Sequence, residues 1–114
     1  MTPGAAPAPP APTIHEAERE SGPSGAVLWG REIGFQAAVA RRQVGLDVVV
    51  RGDEIKANAK VAQTIEAAVG AYVRGNPHLQ SAGPLALPHF QQQQPPPEGH
   101  TFYETNKKKA KKQP

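Results

Sequence analysis

The clearest hydrophobic pattern in the chain lies between residues 54 and 73, where apolar side chains recur at three- and four-residue steps. This spacing places them on one face of a helix and leaves the polar positions between them toward solvent. Asp53 precedes the pattern as a candidate N-cap, and Gly75 and Pro77 follow it as breakers. The pattern therefore predicts a long amphipathic helix over residues 54–73, with an apolar stripe made of Ile55, Ala59, Ala62, Ile65, Ala68, Val69 and Tyr72.

Shorter apolar runs predict the other elements. Residues 46–50 are rich in β-branched side chains and predict a buried strand. Residues 85–91 and 100–105 predict two more strands, joined by a polar Gln/Pro loop. A helix is expected over 31–43, after a short strand or docking segment at 26–29. This order predicts an α+β fold, in which the long helix covers one face of a small antiparallel sheet.

The two ends of the chain differ from its middle in composition. Residues 1–25 predict a Pro/Ala-rich linker that holds one short polar helix over 13–20, since Thr13 and Glu16 fit a capping box. Residues 26–105 form the predicted domain, and residues 106–114 a flexible basic tail. The Pro-rich start and the Lys-rich end are both expected to be disordered.

Composition narrows the class of protein. A chain of 114 residues holds one domain at most, and the absence of cysteine removes disulfides and thiolate metal sites. Without an apolar run near the ~20 residues that span a bilayer, no membrane insertion is expected. The net charge is +3, but five positive charges belong to lysines after residue 106, so residues 1–106 carry −2. The domain itself is therefore not a basic DNA-binding body.

Three of the four histidines recur at an eleven-residue spacing, at 78, 89 and 100, each directly after a turn-forming residue. Two imidazoles at one site can act as general base and general acid in cleaving RNA through its 2′-hydroxyl, with no metal or cofactor. Such a pair is expected to lie about 5–8 Å apart. The alternative is that His89 and His100 are ordinary residues at loop edges. A three-histidine zinc site is disfavoured, because the spacing matches no compact ligand pattern.

Further polar residues complete the predicted site. Glu104 shares a strand face with His100 by alternation, so it could orient the imidazole or act as the base. The residues expected to bind substrate are Arg51, His78, Tyr103, Lys107 and Lys108, through phosphate contacts from cationic or hydroxyl groups. Arg51 has an alternative role in strand-to-helix turn chemistry, and the lysines an alternative role as a solubilising end.

One resemblance rests on the order of four segments. These segments read DVVVRGDEIKANAKVAQTIEAAVG, then NPH, then AGPLALPHFQ, then PPPEGHTFYET before the basic end. This order resembles the C-terminal effector modules of bacterial polymorphic toxins over about residues 30–110. The resemblance carries over His89 in LPHF, and His100 with Glu104 in GHTFYE. It implies a toxin delivered by a larger secreted system into the cytoplasm of a rival cell, acting on RNA or DNA, with an immunity protein as partner.

Three functions stay open at this point. The first is a metal-independent ribonuclease toxin that uses His89 and His100, without a cofactor. The second is a non-catalytic module that binds protein or nucleic acid through its Gln/Pro loop and lysine end. The third is a toxin of different chemistry, such as DNA cleavage or nucleotide transfer. Deamination is poorly supported because the usual zinc-binding cysteines are missing.

Overall fold

The structure is a computed structural model that describes residues 10–75 and 83–114. In these ranges the chain forms two helices and seven strands. The elements in chain order are β1 (Thr13–Arg19), β2 (Val27–Ile33), α1 (Phe35–Gln43), β3 (Val48–Arg51), α2 (Ile55–Val69), β4 (Tyr72–Gly75), β5 (His89–Gln92), β6 (Thr101–Tyr103) and β7 (Lys111–Lys112). The predicted α+β class is confirmed.

All seven strands belong to one mixed sheet in the order β4-β5-β6-β3-β1-β2-β7. The pairs β3–β6 and β2–β7 are parallel, and the other four pairs are antiparallel. The prediction of a small antiparallel sheet is therefore wrong in both size and strand direction. The parallel β3–β6 pair is possible because α2, β4 and β5 lie between these strands in sequence and supply the long crossover that parallel strands need.

Both helices pack against the same face of the sheet. Ala38 of α1 and Ile65 of α2 share a buried cluster with Val48 and Val50 of β3. Val49 points the other way, into a second cluster that includes Leu87 and Phe102. All three valines are fully buried, because β3 lies in the centre of the sheet and packs into one of the two clusters on each side. We refer to the face that carries Val49 and Phe102 as the imidazole face, because His89 and His100 also lie on it.

The predicted long helix is observed as α2, which is shorter than expected by a turn at its C-terminal end. Ala62 and Ile65 of the predicted stripe are buried, as expected from helical spacing. Two polar residues, Asn58 and Glu66, are also fully buried on this helix. The stripe is therefore only partly apolar, and these two side chains need internal partners.

The predicted short polar helix over 13–20 is wrong, because this segment is strand β1 at the centre of the sheet. The N-terminal half of β1 pairs with β3, and almost the whole of β1 pairs with β2 on its other side. The capping-box residues have other partners: Thr13 Oγ1 lies 2.9 Å from His15 Nε2, and Glu16 accepts from Arg31 at 3.1 Å. Strand pairing on both sides satisfies more backbone groups than one helical turn could. The sequence between residues 10 and 25 thus belongs to the folded unit.

The predicted flexible basic tail is also wrong in part. Lys111 and Lys112 form β7, which pairs in parallel with Leu28 and Trp29 of β2. Ala110, just before it, is buried, and its N–H donates to Glu104 Oε2 at 2.9 Å. The lysine side chains themselves stay exposed. Backbone pairing and one buried carboxylate therefore hold the end of the chain on the sheet.

A fully buried ion pair joins the two helices. Arg42 donates through Nε and Nη2 to the two carboxylate oxygens of Glu66, each at 3.0 Å, and neither side chain is exposed. Arg42 Nη1 also donates to the carbonyls of Leu46 and Glu98, at 3.1 and 2.7 Å. Thr101 Oγ1 donates to Glu66 Oε2 at 3.0 Å. The network fixes the loop that enters β6, and that loop carries His100.

Candidate functional site

His89 and His100 lie side by side on the imidazole face. Their ring centroids are 4.6 Å apart, with the ring planes at 78°, an edge-to-face contact. Phe102 packs against both rings, at 5.5 Å from His89 and 5.2 Å from His100. The register that pairs His89 with Phe102 across β5 and β6 places these side chains on one face.

The separation of the two rings is shorter than the expected 5–8 Å. A phosphate group therefore cannot fit between the rings, and would have to contact their outer edges instead. The His100 side chain is 24% exposed, and His89 is half-buried, so both rings are partly accessible to solvent. The arrangement provides two titratable nitrogens at one surface, with an aromatic floor beneath them.

Asp47 is the carboxylate beside His100. Its Oδ1 accepts the backbone N–H of His100 at 2.7 Å, and lies 3.4 Å from Nδ1 of the ring. The ring contact is too poorly aligned to be a hydrogen bond, and Nδ1 has no other partner in the described residues. Asp47 thus fixes the backbone of His100 and places a negative charge at the inner edge of the ring.

Glycine is required directly before His100. Gly99 has a positive φ of +93°, and a Cβ at this position would lie 2.6 Å from Arg42 Nη1 and 3.1 Å from Asp47 Oδ1. The loop can therefore pass close to both groups only without a side chain. This is the physical reason for the GH pair in the sequence.

His89 is tethered within the structure. Its Nε2 lies 2.9 Å from Gln91 Oε1, and its ring also forms a hydrogen bond with the Leu87 backbone. Burial lowers the pKa of His89 below the ordinary value of 6.5, and the nearby charges of His100 and Arg19 lower it further. The hydrogen bonds from Gln91 and Leu87 act in the opposite direction without cancelling the effect. The imidazole of His89 is therefore neutral near pH 7.

The lowered pKa of His89 predicts a specific pH dependence of stability. The unfolded chain binds a proton at this residue more readily than the folded chain, so the stabilising contribution is complete above about pH 6.5. It is lost as the pH falls through the folded pKa. Urea unfolding between about pH 5 and pH 8 should show the decline in wild type. A smaller decline is expected in His89→Gln, and equal declines would contradict the assigned shift.

Gly75 leaves the space that the His89 ring occupies. The two residues are paired across β4 and β5, and a Cβ on Gly75 would overlap the imidazole. Gly75→Ala is therefore expected to push the ring away from His100 and to raise the pKa of His89 toward 6.5. NMR titration of the histidine C–H resonances measures this change.

Gly34→Ala is the matched control for that substitution, because a Cβ on Gly34 meets nothing within 4 Å. It should leave the titration of both histidines unchanged. If Gly75→Ala also left the His89 titration unchanged, the close packing of the ring on β4 would be refuted.

The structure does not join Glu104 to the histidines as its predicted orienting carboxylate. Glu104 Oε2 accepts from Arg51 Nε at 3.1 Å and from the N–H of Ala110. Four residues along an extended chain separate Glu104 from His100, a distance of about 13 Å. The carboxylate next to His100 is Asp47 instead. Glu104 and Arg51 form a second polar group at the other end of β6.

Arg51 is held in place by this second group. Its guanidinium carbon lies 4.0 Å from the centre of the Trp29 ring, and Glu104 pairs with its Nε. Arg51 and Glu104 line a cavity of about 270 Å³, which is also bordered by Thr13, Gly52, Asp53 and Glu54. Arg51 therefore does not accompany the histidine pair, contrary to its predicted role beside them.

The remaining predicted substrate-binding residues are dispersed. Tyr103 is buried and points into the helix-side cluster, where it stacks on Phe90 at 5.6 Å, so it cannot reach a surface-bound substrate. Lys107 and Lys108 lie in a turn in which their backbone N–H groups donate to Thr105 Oγ1. That turn follows Glu104, at the end of β6 away from His100. His78 lies outside the described residues.

Sequence reasoning missed Asp47 and Gln91. Asp47 lies 53 residues before His100 and reads as part of a hydrophobic run, so no local pattern connects the two. Gln91 follows His89 by two residues on a strand and so shares its face, a signal that was present in the sequence. His15 received no role, and it is buried against Trp29, where Nδ1 donates to the Gly30 carbonyl at 3.0 Å.

No helix between 10–75 and 83–114 is long and apolar enough to cross a membrane. Within the same ranges, no three or more acidic or histidine side chains converge in a way that could hold a metal ion.

Comparison of the chain with known protein families, with curated proteins and with solved structures found no match. Fold and site together define an α+β domain with a His–His–Asp group on its imidazole face, opposite the face on which α1 and α2 pack.

Proposed function

We propose that this chain is a ribonuclease effector domain of the polymorphic-toxin kind, with His89 and His100 as an acid/base pair. The observation that carries the proposal is the contact between the two imidazoles on a solvent-accessible sheet face. Chemistry of this kind needs no metal or cofactor, because two imidazoles can supply both the base and the acid.

The two histidines differ in a way that suits different roles. The lowered pKa of His89 keeps its imidazole neutral near pH 7, which fits a general base. His89 would take the proton of a ribose 2′-hydroxyl while that oxygen attacks the adjacent phosphorus. His100, with Asp47 at its inner edge, would give a proton to the departing 5′-oxygen as the phosphorus–oxygen bond breaks. The products are a 2′,3′-cyclic phosphate and a 5′-hydroxyl end.

The Gln91 side chain contacts Nε2 of His89, the nitrogen that this reaction uses. Its amide oxygen lies 2.9 Å from His89 Nε2. The substrate hydroxyl would therefore replace the Gln91 side chain, which is only half-buried on β5. In that state the proton of neutral His89 would lie on Nδ1, toward the Leu87 backbone, so that Nε2 is free to accept the proton of the hydroxyl. Such an exchange is a small side-chain rotation and needs no movement of the sheet.

The direct test is incubation of the purified full chain with single-stranded RNA in EDTA at neutral pH. We expect cleavage that leaves 2′,3′-cyclic phosphate ends, and no cleavage of a substrate with deoxyribose at the scissile position, since the nucleophile is then missing. Intact RNA after prolonged incubation would refute the proposal. Cleavage of the deoxy substrate would instead indicate a nuclease of different chemistry.

A second candidate function is nucleic-acid binding without catalysis. The observation that favours it is the exposed basic end on the sheet: Lys112 Nζ lies 6.0 Å from the Trp29 ring, which Arg51 also covers. Cationic groups around an aromatic ring suit contact with phosphates and bases. Salt-sensitive RNA binding that persists without any cleavage would favour this function over the first.

The biological setting also remains a proposal. A toxin of this kind would be delivered with a larger secreted system and would act in the cytoplasm of a target cell. The producer would need an immunity protein that binds the effector. The sequence resemblance over about residues 30–110 supports this setting.

A further inference from the structure

Arg19 is an arginine on the imidazole face, and it has no role in the proton transfers proposed above. It is the last residue of β1 and follows Ala17 by two positions, so alternation puts both side chains on the same face. Ala17 lies in the cluster with Leu87 and Phe102, which defines that face. Val27, the register partner of Arg19 on β2, lies in the same cluster. Two independent neighbours thus assign Arg19 to the face that carries the histidines.

Arg19 also lies at the same end of the sheet as the histidine pair. The backbone N–H of Ala17 donates to the Asp47 carbonyl at 3.2 Å, and Asp47 lies beside His100. From Ala17 the strand runs on past Asp47 toward Arg19. The positive charge of Arg19 is close enough to His89 to contribute to lowering the pKa of that residue.

The guanidinium of Arg19 has no partner among residues 10–75 and 83–114. Arg31, Arg41, Arg42 and Arg51 each form an ion pair in these ranges, whereas Arg19 forms neither an ion pair nor a side-chain hydrogen bond there. It is exposed to solvent. A planar cation that is left unpaired on the face and at the sheet end that carry two imidazoles is suited to bind an anion by two parallel hydrogen bonds.

We propose that Arg19 binds the phosphate of the RNA substrate at the outer edges of His89 and His100. The inference rests on the proposed ribonuclease function and names the residue that positions its substrate. Because the two rings are in contact, a phosphate cannot lie between them, and a cation outside the pair is needed to hold it above their edges. Arg19 supplies that cation, and it does not take part in proton transfer.

The test compares Arg19→Gln with Arg74→Gln. Arg74 is a matched control, because it is also an exposed arginine near the end of a strand. It pairs with Phe90, whose side chain lies in the helix-side cluster, so Arg74 belongs to the opposite face. Arg19→Gln should lower kcat/KM for RNA cleavage about ten- to hundredfold, as expected for the loss of a charged hydrogen bond. Arg74→Gln should change it less than twofold, and Arg19→Lys should restore part of the loss.

A second measurement does not depend on cleavage. Inorganic phosphate is titrated into the full chain while the imidazole C–H resonances of His89 and His100 are followed by NMR. We expect saturable shifts in wild type and in Arg74→Gln, and weaker binding in Arg19→Gln. Without phosphate, the pKa of His89 should rise in Arg19→Gln, because a repelling charge has been removed.

The outcomes separate this inference from the proposed function. If wild type does not cleave RNA but phosphate binds in an Arg19-dependent way, the anion site stands and the ribonuclease function fails. If RNA is cleaved while Arg19→Gln matches wild type in both kcat/KM and phosphate binding, the inference about Arg19 is overturned and the function stands. The absence of phosphate-induced shifts in wild type would likewise overturn the inference.

Discussion

Replacing His100 with alanine is expected to lower the rate of RNA cleavage by about two to four orders of magnitude, the usual contribution of a positioned acid or base. The residue lies in an open loop end and is 24% exposed, so the substitution leaves no large cavity. His89→Ala should cause a loss of similar size. Because a proton donor and a proton acceptor act in the same step, the double variant should be little worse than either single variant. Rates are measured on a short RNA under single-turnover conditions.

His15→Gln serves as the histidine control for these variants. His15 is on the same sheet but is buried beside Trp29, with its nitrogens bonded to Thr13 and Gly30. This variant could lose stability, yet its folded fraction should cleave RNA at the wild-type rate. Far-UV circular dichroism of each variant checks the folded state. Wild-type cleavage rates in both His89→Ala and His100→Ala would exclude the acid/base pair.

Asp47→Asn refines the same prediction. Asparagine keeps an oxygen that can accept the His100 backbone N–H, but removes the negative charge next to Nδ1. The expected loss of activity is therefore smaller than for His100→Ala, and is expressed in kcat with KM almost unchanged. An equal loss in both variants would mean that Asp47 acts mainly by holding the loop.

The second large effect is expected on stability. Glu66→Ala should lower the free energy of unfolding by about 3–5 kcal/mol, because it leaves the fully buried Arg42 without its counter-charge. The cost is high for a domain of this size, since small domains have only about 5–15 kcal/mol in total. Urea unfolding followed by circular dichroism at constant pH measures the difference.

An exposed ion pair provides the control for this experiment. Arg31 contacts Glu16 at 3.1 Å, but its side chain is 76% exposed. Arg31→Ala should therefore change the free energy of unfolding by less than about 1 kcal/mol, since solvent screens such pairs. If Glu66→Ala were as mild as Arg31→Ala, the buried network would not be what joins the two helices.

The buried network also connects stability to the site. Arg42 Nη1 donates to the Glu98 carbonyl at 2.7 Å, one residue before Gly99 and two before His100. Thr101, just after His100, donates to Glu66. Weakening this network should therefore loosen the loop that holds His100, in addition to lowering the overall stability. Substitutions at Arg42 or Glu66 are thus unsuitable as controls for activity.

The convergence of His89 and His100 followed from strand alternation once the strands were placed. Both histidines lie next to apolar runs that predict strands, and an antiparallel pairing of β5 with β6 brings the two segments together. The sequence could not provide the distance of 4.6 Å, because the register is set by the turn between the strands and by burial of Phe90 on the helix side. The grouping of Glu104 with His100 went wrong for a related reason. A shared face along one strand does not make residues neighbours when they are four positions apart.

What the sequence determined by itself was local: the helical spacing of α2, the β-branched run of β3, and the chemical types available for a site. These features depend on neighbours within one or two turns of the chain, so periodicity reports them directly. The tertiary structure alone decided that Thr13–Arg19 is a central strand, that Arg42 is buried on Glu66, and that Asp47 reaches His100. In each of these cases one partner (β3, Glu66 and His100, respectively) lies more than 20 residues away, and long-range pairing and charge compensation outweighed the local preference of the segment.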